Sequence, residues 1–412
     1  MPAPSDAAFD PYAAVRLPDF RRFLVGSFLS ILGMQMQNTA VGWEIYQRTD
    51  SPLMLGYVGL AQVIPFLTFA LMAGHVADRL QRTRVAATAL TAMMACSLGL
   101  AALSILEGPL WAMYVCLFVN GTARSFLQPA KTSLVPQIVP RDKFASAVTW
   151  NMSGFQLASV LGPALGGMMI GFTHHAGPVY LCDAVLTAVF VVALSRIKPP
   201  PTVVHQVGMS VRSLLAGISF VWQNKVLLGA MTLDMFAVLL GGATALLPVY
   251  AKEILNVGPK GLGWLLAADA AGALVMSLLL AHLPPFKRAG RALLLAVAAF
   301  GLAIICFGLS RSFPLSIVAL FLTGVADNVS VVVRHTLVQM LTPDEMRGRV
   351  SAVNGMFIGA SNELGAFESG LVARFTSPTV SVVGGGLGTL VVVAVVALAV
   401  PQLRRYGRLD GR

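Results

Sequence analysis

Two stretches of this 412-residue chain decide its fold: FVNGTARSFLQPAKTSLVPQIVP at residues 118–140 and FLTGVADNVSVVVRHTLVQMLTP at residues 321–343. They align without a gap at an offset of 203 residues, and the alignment continues to the pair Gly167 and Gly370. The chain therefore contains two copies of one unit. In a strongly apolar sequence, two copies with the same membrane orientation predict two helical bundles with a transport path between them.

The composition is that of an integral membrane protein. Hydrophobic residues make up 56% of the chain and charged residues 11%, and the mean hydropathy is +0.76. These values lie outside the range of soluble domains. Twelve stretches have the length of about 20 residues that crosses a bilayer. They are residues 23–46, 53–76, 85–106, 110–135, 144–172, 178–195, 225–250, 261–283, 291–310, 314–341, 350–373 and 379–400. We therefore predict an all-α polytopic membrane protein with twelve transmembrane helices, six in each half.

The distribution of Lys and Arg predicts the orientation. If the N-terminus is cytoplasmic, 21 of the 29 basic residues lie in cytoplasmic segments, five lie outside and three lie within spans. Basic residues accumulate on the cytoplasmic side of membrane proteins, so both termini are expected there. The same asymmetry explains the net charge of +11 without a nucleic-acid partner.

A polar segment separates the two halves. We predict an N-terminal six-helix bundle at residues 1–195, a cytoplasmic linker at 196–224 and a C-terminal six-helix bundle at 225–412. Within the linker, residues 210–222 have the apolar spacing of an amphipathic surface helix; a partly ordered linker is the alternative.

Nothing in the sequence indicates an enzyme. It has no catalytic constellation and no phosphate-binding Gly-Lys-Ser/Thr loop, which argues against ATP hydrolysis. The four cysteines lie in or at the ends of apolar spans without metal-ligand spacing, so we expect free thiols and no metal site. We predict a transporter of a small molecule that needs no cofactor, uses the proton gradient and works as a monomer.

The segment GHVADRLQRTR at residues 74–84 connects spans 2 and 3. Gly74 permits close approach of a neighbouring helix, and Asp78 can form a charge-assisted bond or cap the next helix. The segment resembles the signature loop of the major facilitator superfamily. The resemblance implies a conformational latch, and a loop that merely follows the charge rule is the alternative. The latch candidates are Gly74, Asp78, Arg79, Arg82 and Arg84.

Span 5 carries a cluster of small residues at Gly162, Pro163, Gly166 and Gly167. Such clusters let helices pack backbone to backbone. The cluster resembles the Gly-Pro-rich motif in the fifth helix of the superfamily's antiporters, although Ala158 stands where that motif has Gly. The resemblance implies antiport; generic small-residue packing is the alternative.

Four further stretches are PDFRRFL at residues 18–24, TAVGWEIY at 39–46, QPA at 128–130 and PDEMRGRV at 343–350. They resemble the superfamily branch that contains enterobactin exporters and macrolide efflux proteins. The resemblance covers nearly the whole chain. It implies a protein of the bacterial inner membrane that exports a siderophore or a hydrophobic drug from the cytoplasm by proton antiport. Proton-coupled uptake, lipid flipping and a sensor or scaffold without transport are the alternatives.

Ionisable side chains within spans are candidates for coupling, because a charge at the membrane centre costs about 2.5–3.5 kcal/mol even on insertion scales. Asp234 of span 7 is the first choice for the carboxylate that carries protons, and Asp327, Glu363 and Asp269 are its rivals. Arg124 occupies the repeat position of Asp327, so we expect the two on opposite sides of one cavity. The alternative is that Arg124 only ties span 4 to its own bundle.

Polar side chains on spans 1 and 4 are the candidates for contact with substrate. Three residues of span 4 recur every fourth position and so form one polar stripe. The candidates are Gln35, Asn38 and Glu44 of span 1, and Asn120, Arg124 and Gln128 of span 4.

Overall fold

The structure is a computed structural model that describes residues 10, 12–197, 211–284 and 286–407, and these residues form helices without any strand. The α-helices are α1 (Pro18–Thr49), α2 (Pro52–Arg79), α3 (Arg82–Ile105), α4 (Leu110–Ile138), α5 (Phe144–Thr173), α6 (Gly177–Ser195), α7 (Val211–Gln223), α8 (Lys225–Leu240), α9 (Leu247–Val249), α10 (Gly258–His282), α11 (Ala289–Leu309), α12 (Phe313–Leu341), α13 (Asp344–Phe375), α14 (Pro378–Ala399) and α15 (Pro401–Arg405).

Most of these helices are long enough to cross a bilayer. In the described ranges, nine helical segments are both long and apolar enough to span a membrane, judged by length and composition. The helices α1, α4 and α13 have 32, 29 and 32 residues but are more polar, and they contribute many of the candidate site residues. The all-α membrane fold is therefore confirmed, whereas the count of twelve spans and the cytoplasmic termini stay predictions.

The helices pack in two sets. In the first set, α1 packs on α5 and α6, α2 packs on α4, and α3 packs on α4 and α6. In the second set, α10 and α11 pack on α12, while α13 and α14 pack on α8. The extensive contacts between the sets join α2 to α13 and α5 to α10. The domain boundaries at residues 195 and 225 stay a prediction.

The predicted seventh span is interrupted. Helix α8 ends at Leu240, and a short 3₁₀ turn, the single-turn α9 and a π-helical turn at Tyr250–Ile254 follow it. Gly241 and Gly242 lie at the break, where a Cβ atom on Gly242 would come within 2.8 Å of the Gly365 carbonyl oxygen. The break therefore brings the backbone of this span against α13, which a continuous helix with side chains at these positions would prevent.

The linker contains the helix α7, within the stretch whose spacing predicts an amphipathic helix. A Cβ atom on Gly217 would lie 3.0 Å from the carbonyl oxygen of Arg349, and Val221 is buried. On the opposite face Trp222 is 72% exposed. The helix thus packs on α13 with one face and presents an aromatic side chain on the other. Residues 198–210 of the predicted linker lie outside the described residues.

Candidate functional site

A cavity of about 650 Å³ lies between the two sets of helices. Helices α1, α2, α4 and α5 line one side of it, and α10, α13 and the interrupted seventh span (Thr244, Ala245 and Pro248) line the other. Its lining is rich in polar side chains. The charged and carboxamide residues among them are Gln35, Asn38, Gln62, Arg124, Gln156, Asp269, Asn362 and Glu363. The position between two packed sets and the polar lining are those expected of a substrate site in a two-bundle transporter.

On the cavity wall formed by the first set of helices, the polar side chains are hydrogen-bonded to one another. The Arg124 guanidinium donates a hydrogen bond of 3.0 Å to Gln62 Oε1 on α2. Gln35 donates to the Ser159 hydroxyl on α5 at 3.3 Å, and Asn38 donates to Gln35 Oε1 at 3.3 Å. These contacts connect four helices of the first set at the cavity wall. Gln35, Asn38 and Arg124 all line the cavity, and their contact with substrate stays a prediction.

On the cavity wall formed by the second set of helices lie Asp269 of α10 and Glu363 of α13. The Thr323 hydroxyl of α12 donates a 2.8 Å hydrogen bond to Asp269 Oδ1. Asp327 lies one turn further along α12 than Thr323 and is not among the lining residues. The second set thus presents two carboxylates to the cavity.

The partner that faces Arg124 differs from the one expected from the repeat. Arg124 and Glu363 line the same small recess beside the cavity, together with Gln62 and Gly359. Asp327, which we expected on the opposite side of the cavity from Arg124, is not among the residues that line it.

Asp234 lies away from the cavity. It is 6% exposed and forms an ion pair with Arg334 of α12, which is 2% exposed. Both residues belong to the interior of the second set, and neither is among the residues that line the cavity. The expectation that Asp234 faces the transport path is therefore not met in this structure, because its carboxylate is turned to a basic partner within its own set. Its role in proton transfer stays a prediction.

The other predicted binding residues also lie off the cavity. Glu44 is buried, accepts a 2.8 Å hydrogen bond from the Tyr180 hydroxyl and forms a 2.5 Å ion pair with Arg48. Asn120 is buried and donates to Gln37 Oε1 at 3.2 Å. Gln128 is exposed further along α4, outside the lining. The polar stripe on α4 therefore contributes only Arg124 to the cavity.

A buried carboxylate in the first set, Asp183, is not among the residues predicted from the sequence. Asp183 of α6 accepts hydrogen bonds from Ser97 at 2.6 Å and Thr187 at 3.5 Å. Ser97 in turn accepts from Gln37 at 3.0 Å. A Cβ atom on Gly33 would lie 3.0 Å from Asp183 Cα, so glycine lets α1 approach this carboxylate. An Asp within an apolar stretch was the available signal, and the network ties α1, α3 and α6 together.

The small residues of α5 pack against both sets. A Cβ atom on Gly166 would lie 3.0 Å from Met36 Cα on α1, and Gly162 faces Gln35 on the same helix. Gly167 faces α10, where a Cβ atom would lie 2.8 Å from Gly263 Cα. Such distances leave no room for side chains, so α5 touches both neighbours backbone to backbone. Pro163 follows Gly162 and lines the cavity.

Polar contacts accompany this packing at the predicted outer side, the side on which α1 ends and α2 begins. Lys252 forms an ion pair with Asp50 and lies 5.3 Å from the centre of the Tyr46 ring. The Tyr46 hydroxyl donates a hydrogen bond to Glu253. On α10, Lys260 lies 4.0 Å from the centre of the Phe172 ring of α5. All of these contacts join the first set to the second, so the predicted outer side is closed.

At the predicted cytoplasmic side, space remains around three glycines of α2 and α13. A Cβ atom on Gly74, Gly348 or Gly355 would meet nothing within 4 Å. The close approach expected at Gly74 is thus absent in this state. Arg82 donates a 2.8 Å hydrogen bond to the Ser133 carbonyl within the first set, and Arg84 is exposed. The side chains of Asp78 and Arg79 lie outside the described residues, so the predicted latch stays a prediction.

Comparisons with known proteins give the family and the fold. The model of the family described as transmembrane secretion effector matches residues 9–408. The enterobactin exporter EntS of Shigella boydii serotype 4 (strain Sb227) is 27% identical over 398 residues, covering 94% of this chain and 93% of the relative. The same identity and coverage hold for the enterobactin exporter EntS of Escherichia coli O1:K1 / APEC.

Solved structures with the same fold are transporters. A bacterial homolog of the human lysosomal transporter Spinster, in an inward-facing and occupied conformation, has a TM-score of 0.72 and 13% identity, covering 97% of this chain and 100% of that chain. The nucleoside transporter NupG has a TM-score of 0.71 and 17% identity, covering 94% and 99%. The chain belongs to the transmembrane secretion effector family of the major facilitator superfamily, and it is a multi-pass transporter of the bacterial inner membrane rather than an enzyme.

Proposed function

We propose that the protein exports a small molecule from the cytoplasm in exchange for protons, by alternating access of one central cavity. The family description, secretion effector, and the exporters among its relatives support the direction. The closed predicted outer side and the space around three glycines at the predicted cytoplasmic side support a state that loads substrate from the cytoplasm.

The proposal rests on the carboxylates that line the cavity. Asp269 and Glu363 belong to the second set of helices and face a cavity whose opposite wall carries Arg124. A carboxylate can hold either a proton or a polar group of the substrate, and the two compete for it. Proton binding from outside then releases substrate, and proton loss to the cytoplasm prepares the site again. This competition is the simplest basis of exchange with fixed stoichiometry.

The relatives named as enterobactin exporters make a catecholate siderophore one candidate substrate class. A hydrophobic drug, implied by the resemblance to macrolide efflux proteins, is the other. The proton gradient is the proposed energy source, with no cofactor, and the proposed working unit is the monomer. Residues from both sets of helices of this chain line the cavity.

Accumulation in respiring inverted membrane vesicles tests this proposal. The panel contains a catecholate siderophore, several hydrophobic antibiotics and a dye, each with and without a protonophore. Uptake into the acidified lumen that disappears with the protonophore is the expected result. The variant with Asp269→Asn and Glu363→Gln is expected to lose it, while Arg374→Gln, an exposed position at the predicted outer end of α13, keeps it. Accumulation that survives the protonophore would contradict proton antiport.

A further inference from the structure

The cavity carries opposite charges on opposite walls. Arg124 of α4 supplies a guanidinium on the first set, and Asp269 and Glu363 supply carboxylates on the second. Among the described residues, Arg124 bonds to the neutral Gln62 and forms no ion pair. Glu363 lines the same recess as Arg124 yet is not within ion-pair distance of it. Both kinds of charge therefore remain available to a ligand.

Besides these charges, the described lining carries five carboxamides and three hydroxyls, and its other residues are apolar or glycine. Each carboxamide offers two N–H donors and a carbonyl acceptor, so the wall can pair with both groups of a ligand amide. Phe155 is the one aromatic side chain among the described lining residues. The carboxamide residues are Gln35, Asn38, Gln62, Gln156 and Asn362.

This lining disfavours two common classes of exported compound. A hydrophobic cation would pair with a carboxylate but would leave the Arg124 guanidinium without an anionic partner, and among the described lining residues it would meet one aromatic face. A compound with several negative charges would meet two carboxylates and a single guanidinium. The wall suits a ligand that has both charges and several amide groups.

We propose that the cavity binds zwitterionic, amide-containing molecules of the peptide class. The ligand's carboxylate pairs with Arg124, its ammonium group pairs with Asp269 or Glu363, and its amide groups bond to the carboxamides. A volume of about 650 Å³ accommodates several residues of such a molecule. Because the ligand bridges the two sets of helices, it stabilises closure of the cavity around it. A siderophore that keeps a free ammonium group and a free carboxylate satisfies this chemistry, whereas a hydrophobic dye does not.

The inference rests on the proposed function for the role of the site, but its test measures binding alone. Alanine peptides of two to five residues are titrated calorimetrically into the purified full-length protein at neutral pH. Four forms of each are compared: unmodified, C-terminally amidated, N-terminally acetylated and blocked at both ends. The unmodified form is expected to bind, and each single blocking step is expected to weaken binding about tenfold or more, as loss of a charge-assisted hydrogen bond does.

Variants assign each end of the peptide to its partner. Arg124→Gln is expected to remove the difference in affinity between the unmodified and the C-terminally amidated peptides. It is expected to keep the difference in affinity between the unmodified and the N-terminally acetylated peptides. The variant with Asp269→Asn and Glu363→Gln is expected to do the reverse. Arg374→Gln and Glu345→Gln, both at exposed positions outside the cavity, are the matched controls and are expected to bind like the wild type.

Two results would overturn the inference. One is failure of every unmodified peptide to bind a protein whose melting transition shows that it is folded. The other is equal binding of the unmodified and doubly blocked forms. Proton-driven export of another compound would still support the proposed function in either case. Conversely, peptide binding without proton-driven transport would support the binding inference and contradict the proposed function.

Discussion

Gly167 and Gly263 hold the backbones of α5 and α10 in direct contact: a Cβ atom on Gly167 would lie 2.8 Å from Gly263 Cα. The second copy of the unit repeats this contact, because a Cβ atom on Gly370 would lie 3.1 Å from Gly56 N and 3.2 Å from its Cα. Gly167 and Gly370 are also the last pair of the internal repeat. Two equivalent glycine contacts therefore close the predicted outer side.

Gly167→Ala is expected to favour the outward-open state. The added methyl group forces α5 and α10 apart, and such overpacking costs about 1–3 kcal/mol, a shift of about 5- to 150-fold between the two states. A cysteine placed at Ala366, a lining residue, reports the state through labelling by a membrane-impermeant maleimide from outside, in a chain without its own four cysteines. Labelling is expected to accelerate.

Gly384→Ala is the matched control for this experiment. Gly384 lies on α14 and a Cβ atom there would meet nothing within 4 Å, so labelling should match that of the parent protein. Unchanged labelling of the Gly167→Ala protein would show that this contact does not limit outer closure.

A disulfide between Asp50→Cys and Lys252→Cys is expected to stop transport. These two residues join α1 to the π-helical turn after α9 at the predicted outer side, and alternating access requires them to separate. Oxidation should block accumulation in vesicles, and a reductant should restore it. Each single-cysteine variant serves as the control. Full transport by the oxidised, cross-linked protein would contradict separation of these residues during the cycle.

Neutralising the cavity carboxylates is expected to uncouple transport rather than to unfold the protein. In proteoliposomes, the variant with Asp269→Asn and Glu363→Gln should lose accumulation driven by a pH gradient while substrate still equilibrates down its own gradient. Neutral amides keep the hydrogen-bonding geometry but cannot exchange protons. Glu345→Gln should behave like the wild type. Undiminished pH-driven accumulation in the double variant would place proton coupling elsewhere, and Asp327 and Asp234 would then be the next carboxylates to test.

Asp234→Asn is expected to destabilise the fold. The change leaves the buried Arg334 guanidinium without its ion-pair partner, and breaking a buried pair in this way costs about 3–5 kcal/mol. The midpoint of thermal unfolding in detergent should fall markedly. Adding Arg334→Gln to Asp234→Asn should recover part of the loss, because no uncompensated charge then remains. A stable Asp234→Asn protein with abolished pH-driven transport would instead favour a role for Asp234 in coupling.

Prediction from sequence succeeded where the signal is local or repeated. The apolar stretches predict the helices, and the 203-residue repeat predicts two similar units. Gln35, Asn38, Arg124, Asp269 and Glu363 were all selected as polar groups within apolar stretches, and all of them line the cavity. The same rule also selected Glu44 and Asp234, which are buried elsewhere.

The predicted site residues that lie away from the cavity do so for one physical reason. A polar residue in an apolar helix must find a partner, but its sequence does not say whether that partner is a neighbouring helix or the cavity. Asp234 pairs with Arg334 and Glu44 with Arg48 and Tyr180. The rotation of a helix about its own axis decides whether such a side chain meets a neighbouring helix or the cavity. Packing against helices that are distant in the sequence sets that rotation.

The sequence by itself determined the class of protein, the repeat and the set of residues from which the site is made. Hydrophobicity and period are properties of the chain, and the bilayer imposes helices on any such chain because backbone polar groups must be paired inside it. Only the tertiary structure decided that Arg124 faces Glu363 rather than Asp327, that Asp234 is turned inward, and that Gly167 meets Gly263 at a closed outer side. These relationships join residues far apart in sequence, and the packing of two sets of helices fixes them.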